Sequence, residues 1–174
     1  RSLQSRDIDI LVNNAGYGIY KKFQDATVEE NLGMIEVHDS AVVRLTHAVL
    51  PRMIERNSGT IINVASQSAM NVTPKCAVYA ASKAFAASFS EGLYLDLYDT
   101  GIIVQALCPG LTHTEFHEKI GMGKSEQQNQ GLMRWMEPEQ IVRESLEHAE
   151  KNAGRKHKTV ICVPGAYPRW TVRL

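Results

Sequence analysis

Thr60-Ile61-Ile62-Asn63-Val64-Ala65-Ser66 is a short, β-branched, mostly apolar run that stops at a small polar residue. It reads as a buried strand rather than a helix, because it is brief and follows the turn-forming Asn57-Ser58-Gly59. Two other stretches have the same form. Ile8 to Val12 runs into Asn13-Asn14-Ala15-Gly16, and Ile102 to Leu107 runs into Cys108-Pro109-Gly110. Three strands that each end at a turn-forming or polar residue are how an open parallel sheet presents a site beyond the carboxyl ends of its strands.

Helical signals lie between the runs. Thr27-Val28-Glu29-Glu30 offers a capping box, with Thr27 at N-cap and Glu30 at N3. Met34, Val37, Ala41, Leu45, Ala48 and Val49 keep helical spacing behind it, and Pro51 predicts a kink or stop near the end. A second long helix, rich in alanine, is predicted from about Ala77 to Leu97. Glu137-Pro138-Glu139 opens another, to about Lys151, and Thr159–Val163 reads as a last strand. Strands alternating with helices predict an α/β chain built on a doubly wound parallel sheet. With 174 residues, one domain is the natural count.

Tyr79 and Lys83 stand one helical turn apart in Tyr79-Ala80-Ala81-Ser82-Lys83, so a phenol and an ammonium share one face. A cation beside a phenol favours the phenolate and lowers its pKa. A tyrosine tuned in this way can give a proton to a carbonyl oxygen or take one from an alcohol. Alone, the pair equally describes an ordinary helix face. Its company changes the reading: Ser66 ends one strand, and the Asn13–Gly16 and Cys108–Gly110 turns end the others.

With these pieces in register the chain resembles the short-chain dehydrogenase/reductase family. The matching residues are Asn13-Asn14-Ala15-Gly16, Ser66, Tyr79-x-x-x-Lys83 and Pro109-Gly110-x-x-x-Thr114, and the likeness covers about Asp7 to Pro164. The resemblance implies a Rossmann-like domain that starts just before the family's fourth strand. The first three strands and the glycine-rich cofactor loop are therefore expected outside this chain, which alone should bind dinucleotide weakly and be inactive.

The resemblance further implies an NAD(P)-dependent oxidoreductase that interconverts a carbonyl and an alcohol, using NAD or NADP. Tyr79 would be the general acid or base. Lys83 would lower its pKa and hold the nucleotide ribose, and Ser66 would donate to the substrate oxygen. Asn14, Ala15, Gly16, Pro109, Gly110, Thr112 and Thr114 would flank the cofactor together with Tyr79 and Lys83. Family members pair through the two long helices, which implies a homodimer or homotetramer. A rival reading is a catalytically incompetent fragment or degenerate reductase acting as a scaffold.

One departure stands out. Where the family carries an asparagine that helps hold a relay water, this chain has His38, in Glu36-Val37-His38-Asp39. Either the imidazole substitutes for that amide or it marks impaired activity. Asp39 beside it reads as exposed.

The stretch from 111 to 137 is long for a connection and carries Phe116, Met122, Met133, Trp135 and Met136. It reads either as a lid over an apolar substrate or as a small helical pair packing its own hydrophobes. Met70, Val72 and Cys76 are expected to line the same pocket. His113 and His117 lack the third partner a metal site needs. Lys151 to Lys158 reads as a solvated basic helix end, and Tyr167-Pro168-Arg169-Trp170 as a tail that either packs on a neighbouring subunit or hangs free.

Nineteen Lys and Arg balance 19 Asp and Glu, so neither nucleic acid nor an anionic membrane is an expected partner. Three widely spaced cysteines argue against a disulfide framework and for a reducing compartment. No apolar run is long enough to span a bilayer, so the expected setting is the cytoplasm. The resemblance implies a small carbonyl or alcohol as partner, and the hydrophobes of 111–137 suggest an apolar one.

Overall fold

A computed structural model describes residues 6–121, 123, 128–129, 134–155 and 157–165. Four parallel strands form one sheet in the order β1 (Ile10–Asn13), β2 (Gly59–Val64), β3 (Ile102–Leu107) and β4 (Ile161–Cys162). Asn13 lies beside Asn63, and Val64 beside Leu107, so the carboxyl ends of β1, β2 and β3 reach the same edge.

The capping box at Thr27 forms: its hydroxyl accepts from the Glu30 N–H, and Glu30 accepts from the Thr27 N–H. It starts α1 (Val28–Ile35), which passes through a π turn at Glu36–Ser40 into α2 (Ala41–Glu55). The interruption expected at Pro51 is absent, and α2 continues one turn beyond it. Met53, wholly buried against Val49, Ile61 and Leu93, holds that last turn on the sheet. The real irregularity is the π turn, which inserts an extra residue and swings His38 inward.

The Ala-rich helix is α3 (Ala77–Asp96). Its small residues Ala86 and Ala87 let it lie close against Ala65, Ala106 and Cys108. Helices α2 and α3 cover one face of the sheet, through Val49, Met53, Leu93 and Leu97 on Ile61, Ile102 and Val104. The short α4 (Glu115–Lys119) follows β3. Then α5 (Pro138–Asn152) covers the other face, through Ile141 on Ile62, Leu107 and Cys162. Helices on both faces of a parallel sheet make this the doubly wound, Rossmann-like arrangement. Strand β1 sits at the sheet edge, and Ile10 and Val12 on its α5-side face are about half exposed, at 54% and 52%. Among the described residues no helix is long and apolar enough to cross a membrane.

A polar ladder runs through the α2/α3 side of the core. Asn13 donates to Asn63 at 2.8 Å and to Thr46 at 3.3 Å; Asn63 donates to Ser90 at 2.9 Å, and Ser90 to the Ala86 carbonyl. It ties β1, α2, β2 and α3 together with side chains almost fully removed from solvent.

Two expectations change here. Lys158 is not a solvated member of a basic cluster: its ammonium donates to the carbonyls of Thr100 and Ile102, tying the β4 approach to the start of β3. Met136 belongs to the core with Ile62, Leu107 and Ile141 rather than facing a substrate. Met122, Met133 and the 167–170 tail lie outside the described residues.

Candidate active site

The carboxyl-end turns and the first half of α3 converge. Ser66 caps a short 3-10 turn (Gln67–Ala69), accepting the Ser68 N–H at 3.1 Å, and its side chain stands near enough to the Tyr79 phenol to favour the phenolate. Lys83 places its ammonium 5.7 Å from the Tyr79 ring centre and donates to the Val64 carbonyl at 2.8 Å. A serine, a tyrosine and a lysine predicted from spacing thus meet at one end of the sheet. The adjoining loop is held to them: Gln67 donates its N–H to the Pro109 carbonyl, and a side chain at Gly110 would run into Gln67.

The electrostatics differ from expectation. Burial holds the Tyr79 phenol above its ordinary value; the nearby Ser66 hydroxyl opposes this, and Cys76 adds to it. The predicted lowering by Lys83 is not seen, because the ammonium is directed to the Val64 carbonyl rather than to the phenol oxygen. Burial also brings Lys83 down to about 8, against the attraction of Asp39. Asp39 itself is partly buried, its carboxyl raised by burial, with one carboxylate oxygen buried and unpartnered among the described residues. The expectation of an exposed Asp39 is therefore corrected: the π turn carries it toward α3.

His38 is 3% exposed and both its nitrogens are engaged, Nε2 by the Tyr17 N–H at 3.1 Å and Nδ1 by Ser82 Oγ at 2.8 Å. Burial, helped by the Lys83 charge, lowers its pKa to about 4. The unfolded chain takes a proton on this side chain near pH 6.5, and the native state refuses it until about 4. Stability contributed by the neutral imidazole is therefore complete above about pH 6.5 and is lost as pH falls toward 4. Urea titrations at pH 7.5 and 5 should show a smaller acid-induced loss in His38→Phe than in the wild type; equal losses would remove His38 from the acid response.

The remaining predicted contacts separate. Asn14, Ala15 and Gly16 are exposed beyond β1. Thr112 donates to the Gly110 carbonyl, while the Thr114 hydroxyl is committed to capping α4 through the Phe116 N–H. The base of the 111–137 excursion is clasped by Met136 N–H to the Leu111 carbonyl and His113 N–H to the Met136 carbonyl. From it Phe116 projects onto Tyr79, with ring centres 5.6 Å apart. His113 and His117 pack on Trp135, and the described residues hold no group of side chains suited to a metal ion. Val72 is largely exposed, whereas Met70 packs on the Ala65–Ala106 core rather than an open pocket. Cys76 is buried; burial raises the other two thiols, Cys108 to about 11 and Cys162 to about 12, and all three cysteines are free.

Sequence reasoning missed Ser82, Tyr17 and the Asn13–Asn63 pair. A polar residue at an inward strand position was the available signal for the asparagines. Ser82, inside the Tyr79–Lys83 turn, gave none.

The short chain dehydrogenase family matches residues 3–125, and the chain belongs to that family. It is 33% identical over 175 residues to a very-long-chain 3-oxoacyl-CoA reductase of Anas platyrhynchos, covering 97% of this chain and 51% of that protein. It is 41% identical over 125 residues to the NADP-dependent 3-hydroxy acid dehydrogenase YdfG of Salmonella typhimurium, covering 71% of this chain and 50% of that protein. The chain therefore spans about half the length of the curated relatives it matches. Among solved structures, a short-chain dehydrogenase from Sphingobium yanoikuyae in complex with NADPH superposes with a TM-score of 0.83 at 30% identity, covering 97% of this chain and 63% of that one. The closed form of serine dehydrogenase complexed with NADP+ superposes with a TM-score of 0.76 at 35% identity, covering 90% and 64%.

Proposed function

We propose that the chain carries the proton-transfer residues of an NAD(P)-dependent oxidoreductase that interconverts a carbonyl and an alcohol. The observation that carries this reading is the convergence of Ser66, Tyr79 and Lys83 at the carboxyl end of the sheet. A phenol held protonated by burial is suited to the reducing direction, where Tyr79 gives its proton to the substrate oxygen. Ser66 supplies a fixed donor to the negative charge that builds on that oxygen.

The exposed Asn14–Gly16 turn and the Pro109–Thr112 loop flank the same space, which supports placing a dinucleotide between them. Tyr79 and Lys83 would meet its ribose, and Thr114 would join only by giving up its cap on α4. When bound, the dinucleotide supplies the hydride. NADP in the YdfG relative and NADPH in the superposed Sphingobium dehydrogenase favour NADP over NAD.

Phe116 over the phenol favours an apolar carbonyl substrate, and the 3-oxoacyl and 3-hydroxy acid relatives favour one bearing its oxygen β to an acyl group. Exposed apolar residues on α2 and α3, including Val43, Ile54, Phe85 and Leu95, support pairing of like chains as a homodimer or homotetramer. Buried free thiols fit a reducing compartment, the cytoplasm.

Loss of NADPH absorbance with a 3-oxoacyl thioester, measured in the active enzyme beside a bulky steroid ketone, tests the reading. Turnover of the thioester is the expected result. Reduction of neither carbonyl, with either NADPH or NADH, would overturn it.

A further inference from the structure

We propose that Lys75 selects the substrate: its ammonium is placed at the mouth of the site to bind an anionic group, a carboxylate or a phosphate, carried by the carbonyl compound. The proposal rests on the reading above in taking Ser66 and Tyr79 as the place of the reacting carbonyl.

Lys75 sits in a backbone conformation that suits a lysine poorly. Thr73-Pro74-Lys75-Cys76 makes the turn into α3, and Lys75 has a φ of +67° there. Proline followed by a left-handed residue is a turn that glycine or asparagine makes most cheaply. A lysine in the left-handed region crowds its own Cβ against the backbone and has no short polar group to compensate. Asn57, the other non-glycine residue with positive φ among those described, is of the tolerant type. The lysine turn is nonetheless held shut, because the Cys76 thiol donates to the Thr73 carbonyl at 2.7 Å. A costly residue fixed where glycine would serve points to a task for its side chain.

The side chain goes to the mouth of the site. Its ammonium stands 5.0 Å from the centre of the Tyr20 ring, a cation over an aromatic face. Tyr20 belongs to the segment after β1, so the contact joins the two segments that flank Ser66 and Tyr79. Two residues earlier the same segment meets α4: a Cβ at Gly18 would lie 2.9 Å from Phe116 and 3.0 Å from Ile120. Phe116 in turn lies on Tyr79. The mouth thus has an apolar flank, Phe116 and Ile120, and a cationic one, Lys75.

An aromatic face orients an ammonium without neutralising it. Among the described residues no carboxylate pairs with Lys75, whereas Lys21, on the Tyr20 segment, is committed to Glu30 at 2.7 Å. An arriving anion therefore meets a placed cation whose charge is still uncompensated. An apolar carbonyl compound with an acidic end fits both flanks. The carboxylate of a 3-oxo acid and the phosphates of a coenzyme A thioester are the two sources of that charge.

Matched substrates test the selection. NADPH consumption by the active enzyme is compared between a 3-oxo acid and its methyl ester, and between a 3-oxoacyl coenzyme A and the N-acetylcysteamine thioester of the same acyl group. Lys75→Met should raise KM for a charged member about tenfold, leave its neutral partner within about twofold and move kcat less than about threefold. The pair that responds identifies the source of the charge. Equal changes for charged and neutral members, or no change for either, would overturn the proposal. Lys75→Gly relieves the backbone, so it should lose the same preference with Tm unchanged or raised. A Tm lowered by more than about 3 °C would make Lys75 part of the turn rather than of the site.

One readout needs no turnover. Acetylation of Lys75 by acetic anhydride, followed by mass spectrometry, should be slowed by a charged member and not by its neutral partner; equal labelling with both would overturn the proposal. Reduction of both members of each pair without preference overturns the selection alone, whereas reduction of none overturns the oxidoreductase reading.

Discussion

Tyr79→Phe is expected to lower kcat by about three orders of magnitude while leaving dinucleotide affinity within about twofold. A positioned general acid contributes ~10²–10⁴-fold, and a thousandfold loss corresponds to about 4 kcal/mol of barrier. The substitution is clean because only the hydroxyl goes. The ring keeps its neighbours Phe116 at 5.6 Å and His38 at 5.9 Å, so α3 and the Phe116 segment stay in place. What disappears is the phenol oxygen beside Ser66, the proton source in the proposed reaction. Since burial raises the phenol, reduction in the wild type should persist through neutral pH and decline only as the alkaline side is approached. Steady-state kinetics beside a dinucleotide titration checks this. Turnover within tenfold of wild type would remove Tyr79 from the mechanism, whatever the fold.

Asn63→Ala should be the most damaging single change to the frame that holds the site, costing roughly 3 kcal/mol and lowering Tm by about 6–12 °C. Asn63 is 0% exposed and makes two side-chain hydrogen bonds, accepting from Asn13 at 2.8 Å and donating to Ser90 at 2.9 Å. Truncation removes both and leaves a void. Each partner loses one bond in a place water cannot reach, which costs more than the bonds themselves add. Ser90→Ala is the milder control, at about 1 kcal/mol, because Asn63 keeps its bond to Asn13. Thermal melts of the two variants should separate clearly. A shift below about 2 °C for Asn63→Ala would show that the ladder is incidental to stability.

The fold was legible because its signals are local and repeated. Three apolar runs stop at turn-forming residues, a capping box stands at Thr27, and alanine dominates α3; each is a statement about a few neighbouring residues. The meeting of Ser66, Tyr79 and Lys83 was legible for the same reason. A helical turn relates the last two, and a parallel sheet brings strand ends to one edge. Pro51 misled because a buried Met53 two residues later outweighs the lost backbone hydrogen bond. Lys158 misled because its charge suggested water, while its partners, the Thr100 and Ile102 carbonyls, lie more than fifty residues back.

The sequence by itself determined the α/β class, the family and the three residues that meet at the strand ends, since periodicity and spacing are properties of the chain. Only the tertiary structure decided what those residues experience. Whether a phenol is made more or less acidic depends on where an ammonium points and how much water is excluded, and both are set by packing. The burial of His38 likewise depends on packing: its partners Tyr17 and Ser82 lie 21 and 44 residues away and touch it only because the chain is folded.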